Sequence, residues 1–228
     1  MDGKTARMDL DTTRSRDAYE KIIHDFQSGQ SNLLVGTQMV TKGLDFDRVR
    51  VVGILNADQA LNIPDFRAHE RAYQMLSQVA GRAGRRGKQG KVILQTRQAN
   101  LPLIKQIVQS DYEAMYLTQV AERKAFGYPP FTRIINIYVK HRDERICVAA
   151  ASHLATMLRP HFGTNLLGPD RPSIGRIQSL HIRKIMLKVV PSLPPQGTRR
   201  TLLAAAEVLK NHPALKGVTL YFDVDPLG

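Results

Sequence analysis

The sequence predicts an α/β protein in two parts, a parallel-sheet lobe followed by a small α+β domain of the split β-α-β kind. Three observations predict it. Residues 32–36 and 49–55 are mostly apolar runs bounded by turn residues, the pattern of central parallel strands buried on both faces. Gly127-Tyr-Pro-Pro130 then breaks the chain, because two prolines remove amide donors and fix φ. Beyond it, β-branched and alternating runs are interleaved with two amphipathic helices in the order β-α-β-(β)-α-β. The expected divisions are a lobe over 1–111, a helical connector over 112–130 and a second domain over 131–228.

Taken in order, residues 6–10 alternate weakly and predict an edge strand, with Thr12 or Thr13 as N-cap of the next helix. That helix carries Tyr19, Ile22, Ile23 and Phe26 on one face and ends at Gly29. After the second strand, Asp58 falls at the sheet edge where ligands bind in open α/β folds, though a loop-capping role fits as well. Pro64 or Asp65 should open a helix whose Asp65, Arg67, Glu70 and Arg71 alternate in sign, the mark of a solvated, salt-bridged face. A strand over 91–96 and helices over 102–108 and 112–124 complete the first part. In the second, residues 134–139 and 182–190 read as strands. Helices are expected over 145–158 (Ile146, Ala149, Ala150, Leu154, Met157 and Leu158 inward) and 198–210 (Leu202, Ala205, Ala206 and Leu209 inward). Val218, Leu220, Phe222 and Val224 alternate with polar residues as a final strand.

Two stretches carry chemistry. In Gln78-Val-Ala-Gly81-Arg82-Ala-Gly84-Arg85 two arginines sit three apart, each after a glycine, at the end of a helix built on Tyr73, Leu76 and Val79. Glycine permits close backbone approach, and the guanidinium fork matches phosphate oxygens. Such a pair suits a transferring phosphoryl group, where catalysis is mostly positioning and charge neutralisation; a basic surface turn would have the same composition. Upstream, residues 32–47 read as a short strand, a loop with Thr37 and Thr41, and a Gly43-Leu-Asp45 turn. Hydroxyls and turn amides commonly contact nucleic-acid phosphates, and an acid such as Asp45 can hold a ribose hydroxyl.

These residues resemble motifs V (Gly36–Asp47) and VI (Gln78–Arg85) of the second RecA-like lobe of superfamily-two helicases. Residues 7–13, 65–71, 88–96, 128–130, 167–169 and 223–226 narrow the resemblance to the primosomal replication-restart DNA helicases, over nearly the whole chain. The resemblance implies a RecA-like lobe and a role for Arg82 and Arg85 as arginine fingers facing ATP held by another lobe. It places Gly43, Asp45 and Gln78 at the nucleotide, and Thr37, with Thr41, on phosphates of the tracked DNA strand. It further implies 3′-to-5′ unwinding, recognition of abandoned forks, and the bacterial cytoplasm and nucleoid as the setting. The implied partners are branched or forked DNA, single-stranded DNA, primosome proteins, the replicative helicase loader and single-stranded-DNA-binding protein, with the protein a monomer. No G-x-x-x-x-G-K-[ST] loop and no DExH box occur, and Cys147 is the single cysteine. The chain is therefore expected to be a C-terminal piece inactive toward ATP alone, with ATP and magnesium held mainly by the other lobe and zinc by a cysteine-rich insertion elsewhere. A non-catalytic fork-binding and partner-docking module, or another repair helicase of the superfamily, are the alternatives.

Charge agrees with a polyanionic partner: the net is +13, of which 131–228 carries 14 Lys+Arg against 6 Asp+Glu, or +8. Arg171, Arg176, His181, Arg183, Lys184 and Lys188 cluster with one acid, Asp170, and read as a basic hairpin. Arg176, Arg183 and Lys184 are the candidate DNA contacts; a charged edge strand that resists aggregation is the other reading. The seven histidines show no ligand spacing, and Asp223 with Asp225 is only a conceivable magnesium pair, so no metal site is expected. No run of eighteen apolar residues or signal-like start appears, so no membrane contact is expected.

Overall fold

Met8 is fully buried, and the first parallel pair forms around it. The structure, a computed structural model, describes residues 4–37, 49–81, 83 and 90–227. Strand β1 (Thr5–Met8) pairs in parallel with β2 (Leu33–Gly36), Thr5 opposite Leu33 and Met8 opposite Gly36. Helix α1 (Arg16–Gln27) crosses between them and lays Tyr19, Ile22, Ile23 and Phe26 against Met8, Leu34 and Val49, the face its spacing predicts. Its N-cap is Ser15, whose hydroxyl accepts from the Ala18 amide, rather than either threonine. Thr12 and Thr13 are occupied one turn earlier. The Thr13 hydroxyl donates to the Asp9 carbonyl at 2.6 Å, and Asp9 Oδ1 accepts the Thr12 amide at 3.0 Å. This local side-chain bonding closes the turn after β1.

A second parallel pair joins β3 (Val51–Ile54) to β4 (Lys91–Leu94). Between them run a short α2 (Asp58–Leu61) and α3 (Ala68–Ala80). After β4 come α4 (Pro102–Gln109), with proline in its first turn, and α5 (Tyr112–Phe126). Helix α3 begins at Ala68, later than the proline signal predicts, because Asp65 turns the chain first and accepts the Arg67 amide at 2.6 Å. Ala72, Tyr73 and Leu76 from α3 meet Leu61, Leu103, Ile104, Ile107 and Met115 in one core. The expectation of strands buried on both faces is not met among the described residues. Leu33, Val35 and Val51 are 54%, 47% and 57% exposed, and the two parallel pairs are not bonded to each other. The described helices cover only one side of each pair, whereas parallel strands are ordinarily covered on both.

The chain divides into two compact units, Met1–Gln119 and Val120–Gly228. The second has the split β-α-β order. Strands β5 (Arg133–His141), β6 (Leu166–Asp170), β8 (Leu180–Val189) and β9 (Thr219–Val224) lie in the order β6-β8-β5-β9, every pair antiparallel. The short β7 (Arg176–Ile177) pairs with the start of β8. Helices α6 (Glu144–Phe162) and α7 (Pro195–Lys210) pack on one face. Helix α6 buries Cys147, Ala150, Ala151, Leu154, Ala155, Leu158 and Phe162 at helical spacing. Ala149, expected inward, is exposed, and Cys147 and Ala151 take that stripe instead. Ile137, Val139, Ile185 and Leu187 complete the core, all at zero exposure.

Candidate functional site

Three buried side chains, Ala72, Tyr73 and Leu76, fix the rotation of α3 on the first core. That rotation leaves Gln78 exposed in the helix's last turn. The Gly81 amide then donates to the Ser77 carbonyl at 2.9 Å as the helix ends. Arg82 and Arg85 follow at once in sequence, and both lie outside the described residues. So do Thr41, Gly43 and Asp45. Thr37 is described: exposed, it leaves β2 with its amide donating to the Met8 carbonyl at 3.4 Å, one step beyond the β1–β2 ladder. Thr37 and Gln78 are thus each presented at the end of an element held by its own core.

Asp58 takes the capping role. Its Oδ1 accepts the Thr96 hydroxyl at 2.6 Å and its Oδ2 the Arg97 amide at 2.9 Å. The Thr96 and Arg97 hydrogen bonds hold this carboxyl below its ordinary value. The carboxylate clips the turn after β3 to the loop after β4, so its hydrogen-bonding capacity is spent within the lobe.

The basic hairpin forms as the sequence predicts, and the structure sorts its cations by role. β7 and β8 pair Arg176 with His181 and Ile177 with Leu180 around a turn at Gln178, whose φ is 53°. Glu144, the first residue of α6, anchors it. Arg183 Nη2 donates to Glu144 Oε1 at 2.7 Å, and His181 Nδ1 lies 3.7 Å from Oε2. The Arg183 hydrogen bond lowers the Glu144 pKa, with further lowering from the charges of His181, Arg183 and Arg171. Arg183, with its side chain only 14% exposed, therefore pins the hairpin to α6. Lys188 also turns inward: its ammonium donates to the Phe126 carbonyl at 2.6 Å and sits 4.2 Å from the Tyr128 ring centroid. Burial lowers its pKa. Arg176 and Arg171 are exposed on the hairpin, and Lys184 is half-buried opposite Tyr138 and Asp170. The sequence gives no sign of the Glu144 anchor, because that residue lies 39 positions before Arg183. Asp225 does not share a strand face with Asp223. It lies past β9 with φ 52° and pairs with Arg133. No group of three or more metal-ligating side chains occurs among the described residues. None of the described helices is long and apolar enough to cross a membrane.

The first unit carries the glycine-arginine stretch between α3 and β4, and the second is an antiparallel α+β domain with a basic hairpin: the class is an α/β lobe with an appended α+β domain. Comparison with known proteins agrees, as residues 4–87 match the helicase conserved C-terminal domain and residues 124–227 the primosomal protein N C-terminal domain. The chain belongs to the primosomal replication-restart helicase family, PriA. It is 36% identical to the replication restart protein PriA of Bacillus subtilis and 34% identical to that of Treponema pallidum, over 98% of this chain in each case. With the protein of the same name from Chlamydia muridarum it shares 42% identity, again over 98% of its length. It spans 28%, 33% and 29% of these three relatives, so less than two thirds of each.

Proposed function

We propose that this chain is the second motor lobe and the DNA-binding tail of an ATP-dependent DNA helicase that restarts replication at abandoned forks. One observation carries the reading: the helicase and primosomal family models match in series along a single chain, with relatives named for replication restart aligned over 98% of it. In this reading Arg82 and Arg85 reach the γ-phosphate of ATP held on a lobe outside this chain. Gly43, Asp45 and Gln78 line the nucleotide; Gln78 is exposed, as any ligand contact requires. Thr37 and Thr41 hold phosphates of the tracked strand, so lobe closure moves that strand 3′ to 5′. Arg176 and Lys184 contact the branch, while Arg183 sets the hairpin that carries Arg176.

ATP and magnesium would be bound mainly by the other lobe; bound ATP would favour closure onto Arg82 and Arg85, and its hydrolysis would release that closure. Zinc belongs to a cysteine-rich insertion elsewhere in the longer protein. Cys147 is unsuited to it: its buried sulfur lies 3.3 Å from the Val139 and His181 carbonyl oxygens, which share its one S–H, and burial raises its pKa. Forked and single-stranded DNA are the substrates. Primosome proteins, the helicase loader and single-stranded-DNA-binding protein are the protein partners of a monomer in the bacterial cytoplasm.

The test uses the full-length enzyme. Arg85→Ala should retain DNA binding and lose roughly three to five powers of ten in ATP turnover, the range for an arginine finger. DNA-stimulated turnover at the wild-type rate would remove Arg85 from the role. The 228-residue chain alone should bind forked DNA without hydrolysing ATP.

A further inference from the structure

The sheet of the second unit has one face under α6 and α7, and the alternation of its strands fixes what the other face carries. Ile135, Ile137 and Val139 of β5, Ile185, Leu187 and Val189 of β8, and Leu220 and Phe222 of β9 all join the helix-side core. Their neighbours therefore face away from the helices: Tyr138 and Lys140 from β5, Lys184 from β8, Thr219 and Tyr221 from β9. Tyr138 and Tyr221 are directly opposite in register, with ring centroids 6.2 Å apart and planes 26° from parallel. Tyr221 is 54% exposed. Lys140 places its ammonium 6.0 Å from the Tyr221 ring centroid, and Lys184 lies opposite Tyr138 on the other side. Lys188 of β8 lies on this face too and bonds the last residue of α5. Ile134, Asn136 and Ile182 are buried there. Away from the α5 end, Tyr221 is exposed and Tyr138, Lys140 and Lys184 are half-buried.

An exposed ring stacked on a half-buried one, on the side of the sheet away from the α6–α7 core, is not required by that core. We propose that the part of this face away from α5 is a stacking platform for unpaired bases of single-stranded DNA, with Tyr138 and Tyr221 beneath the bases and Lys140 and Lys184 beside the phosphates. The occupant follows from chemistry. Four-stranded sheets with aromatics on their open face stack bases of single strands. Stacking accepts any base, because each has a π-face, and bases inside a duplex are already stacked. The +8 charge of residues 131–228 supplies complementarity to a phosphate chain. Asp223, next to Tyr221 in β9, is an acid on the same face, so the lysines rather than the whole surface track the backbone. Burial, then the Asp223 charge, raises the Tyr138 pKa. The assignment of DNA rather than another polymer rests on the helicase reading above.

The test titrates the 228-residue chain by fluorescence anisotropy against four labelled probes. These are an oligothymidylate, an abasic oligonucleotide of equal length, an oligouridylate and a forked duplex. The wild type should bind oligothymidylate more tightly than the abasic strand. Tyr221→Leu should cut that preference by about five- to a hundredfold, the range for one lost base–aromatic stack, and Tyr221→Phe should leave it within about twofold. The slope of affinity against salt should be the same in both tyrosine variants, since stacking releases no counterions, and shallower in Lys140→Ala. Equal binding of base-bearing and abasic strands, or a preference unchanged in Tyr221→Leu, overturns the platform. With fork binding intact and weakened by Arg176→Ala, that result leaves the DNA reading standing. Tighter binding of oligouridylate assigns the face to RNA and likewise overturns the proposal. Failure to bind any probe overturns both readings together.

Discussion

Gly168→Ala tests whether the bulge in β6 positions the hairpin strand. Gly168 has φ 92°, a conformation that side-chain-bearing residues rarely adopt. A Cβ there would lie 2.8 Å from the Lys184 carbonyl oxygen and 3.0 Å from the Asp170 amide nitrogen. Both atoms are backbone, so the collision cannot be relieved by turning a side chain; β6 must move relative to β8. The strained φ alone costs about 1–3 kcal/mol, and forcing extra atoms into a packed site typically adds about 1–3 kcal/mol. The expected loss is therefore about 2–6 kcal/mol, a large share of the roughly 5–15 kcal/mol of a whole domain. Gly163→Ala is the control, since Gly163 has φ 53° but no atom within 4 Å of the added carbon. It should show the φ cost alone. Urea unfolding gives the totals, and native-state hydrogen exchange of α6 and β8 amides assigns them to the second unit, which a single bulk transition would not do. If Gly168→Ala is no more destabilising than Gly163→Ala, contact with the Lys184 carbonyl is not what holds β6 in place.

Arg176→Ala should weaken fork binding and flatten its salt dependence by about 0.9 in log–log slope, the value for one lost phosphate contact, without changing hydrogen exchange in the hairpin. Arg183→Ala should do the reverse first, raising exchange over 176–182 as its Glu144 partner is lost; equal exchange in the two variants would mean the ion pair does not anchor the hairpin. The Glu144 pKa is lowered in the folded chain, so its contribution is fully present above its ordinary value of 4.5 and is lost as pH falls through the lowered folded value. Hairpin protection factors, referred to the slower intrinsic amide exchange of acid solution, should therefore fall in that acidic window, and Glu144→Gln should already show lowered protection at neutral pH.

Much of the fold was legible because periodicity reports burial. The stripe Tyr19, Ile22, Ile23, Phe26 and the alternation Val218, Leu220, Phe222, Val224 locate α1 and β9 within a residue or two. Boundaries shifted where side chains bond to nearby backbone. Asp9 occupies both threonines expected to cap α1, and Asp65 delays α3 by a turn of its own. Burial on both strand faces was misjudged from apolar runs alone. A run such as Leu33–Val35 records that a strand suits a covered position, not which segments cover it.

The sites divide along the same line. The spacing of glycines and arginines is local, so motif residues such as Thr37 and Gln78 can be singled out without a structure. Charge commitment is not local. Within one basic cluster, Arg183 is tied to Glu144 and Lys188 to Phe126 and Tyr128, while Arg176 stays exposed. A sequence count treats the three as equal phosphate ligands, but an arginine already bridging a carboxylate must give up that partner before it can neutralise a phosphate. The hairpin's DNA affinity should accordingly come from fewer cations than its composition suggests. The paired tyrosines show the converse. Tyr138 and Tyr221 are 83 positions apart and meet only because β9 pairs with β5, so a stacking surface can be absent from every sequence window and present on the sheet.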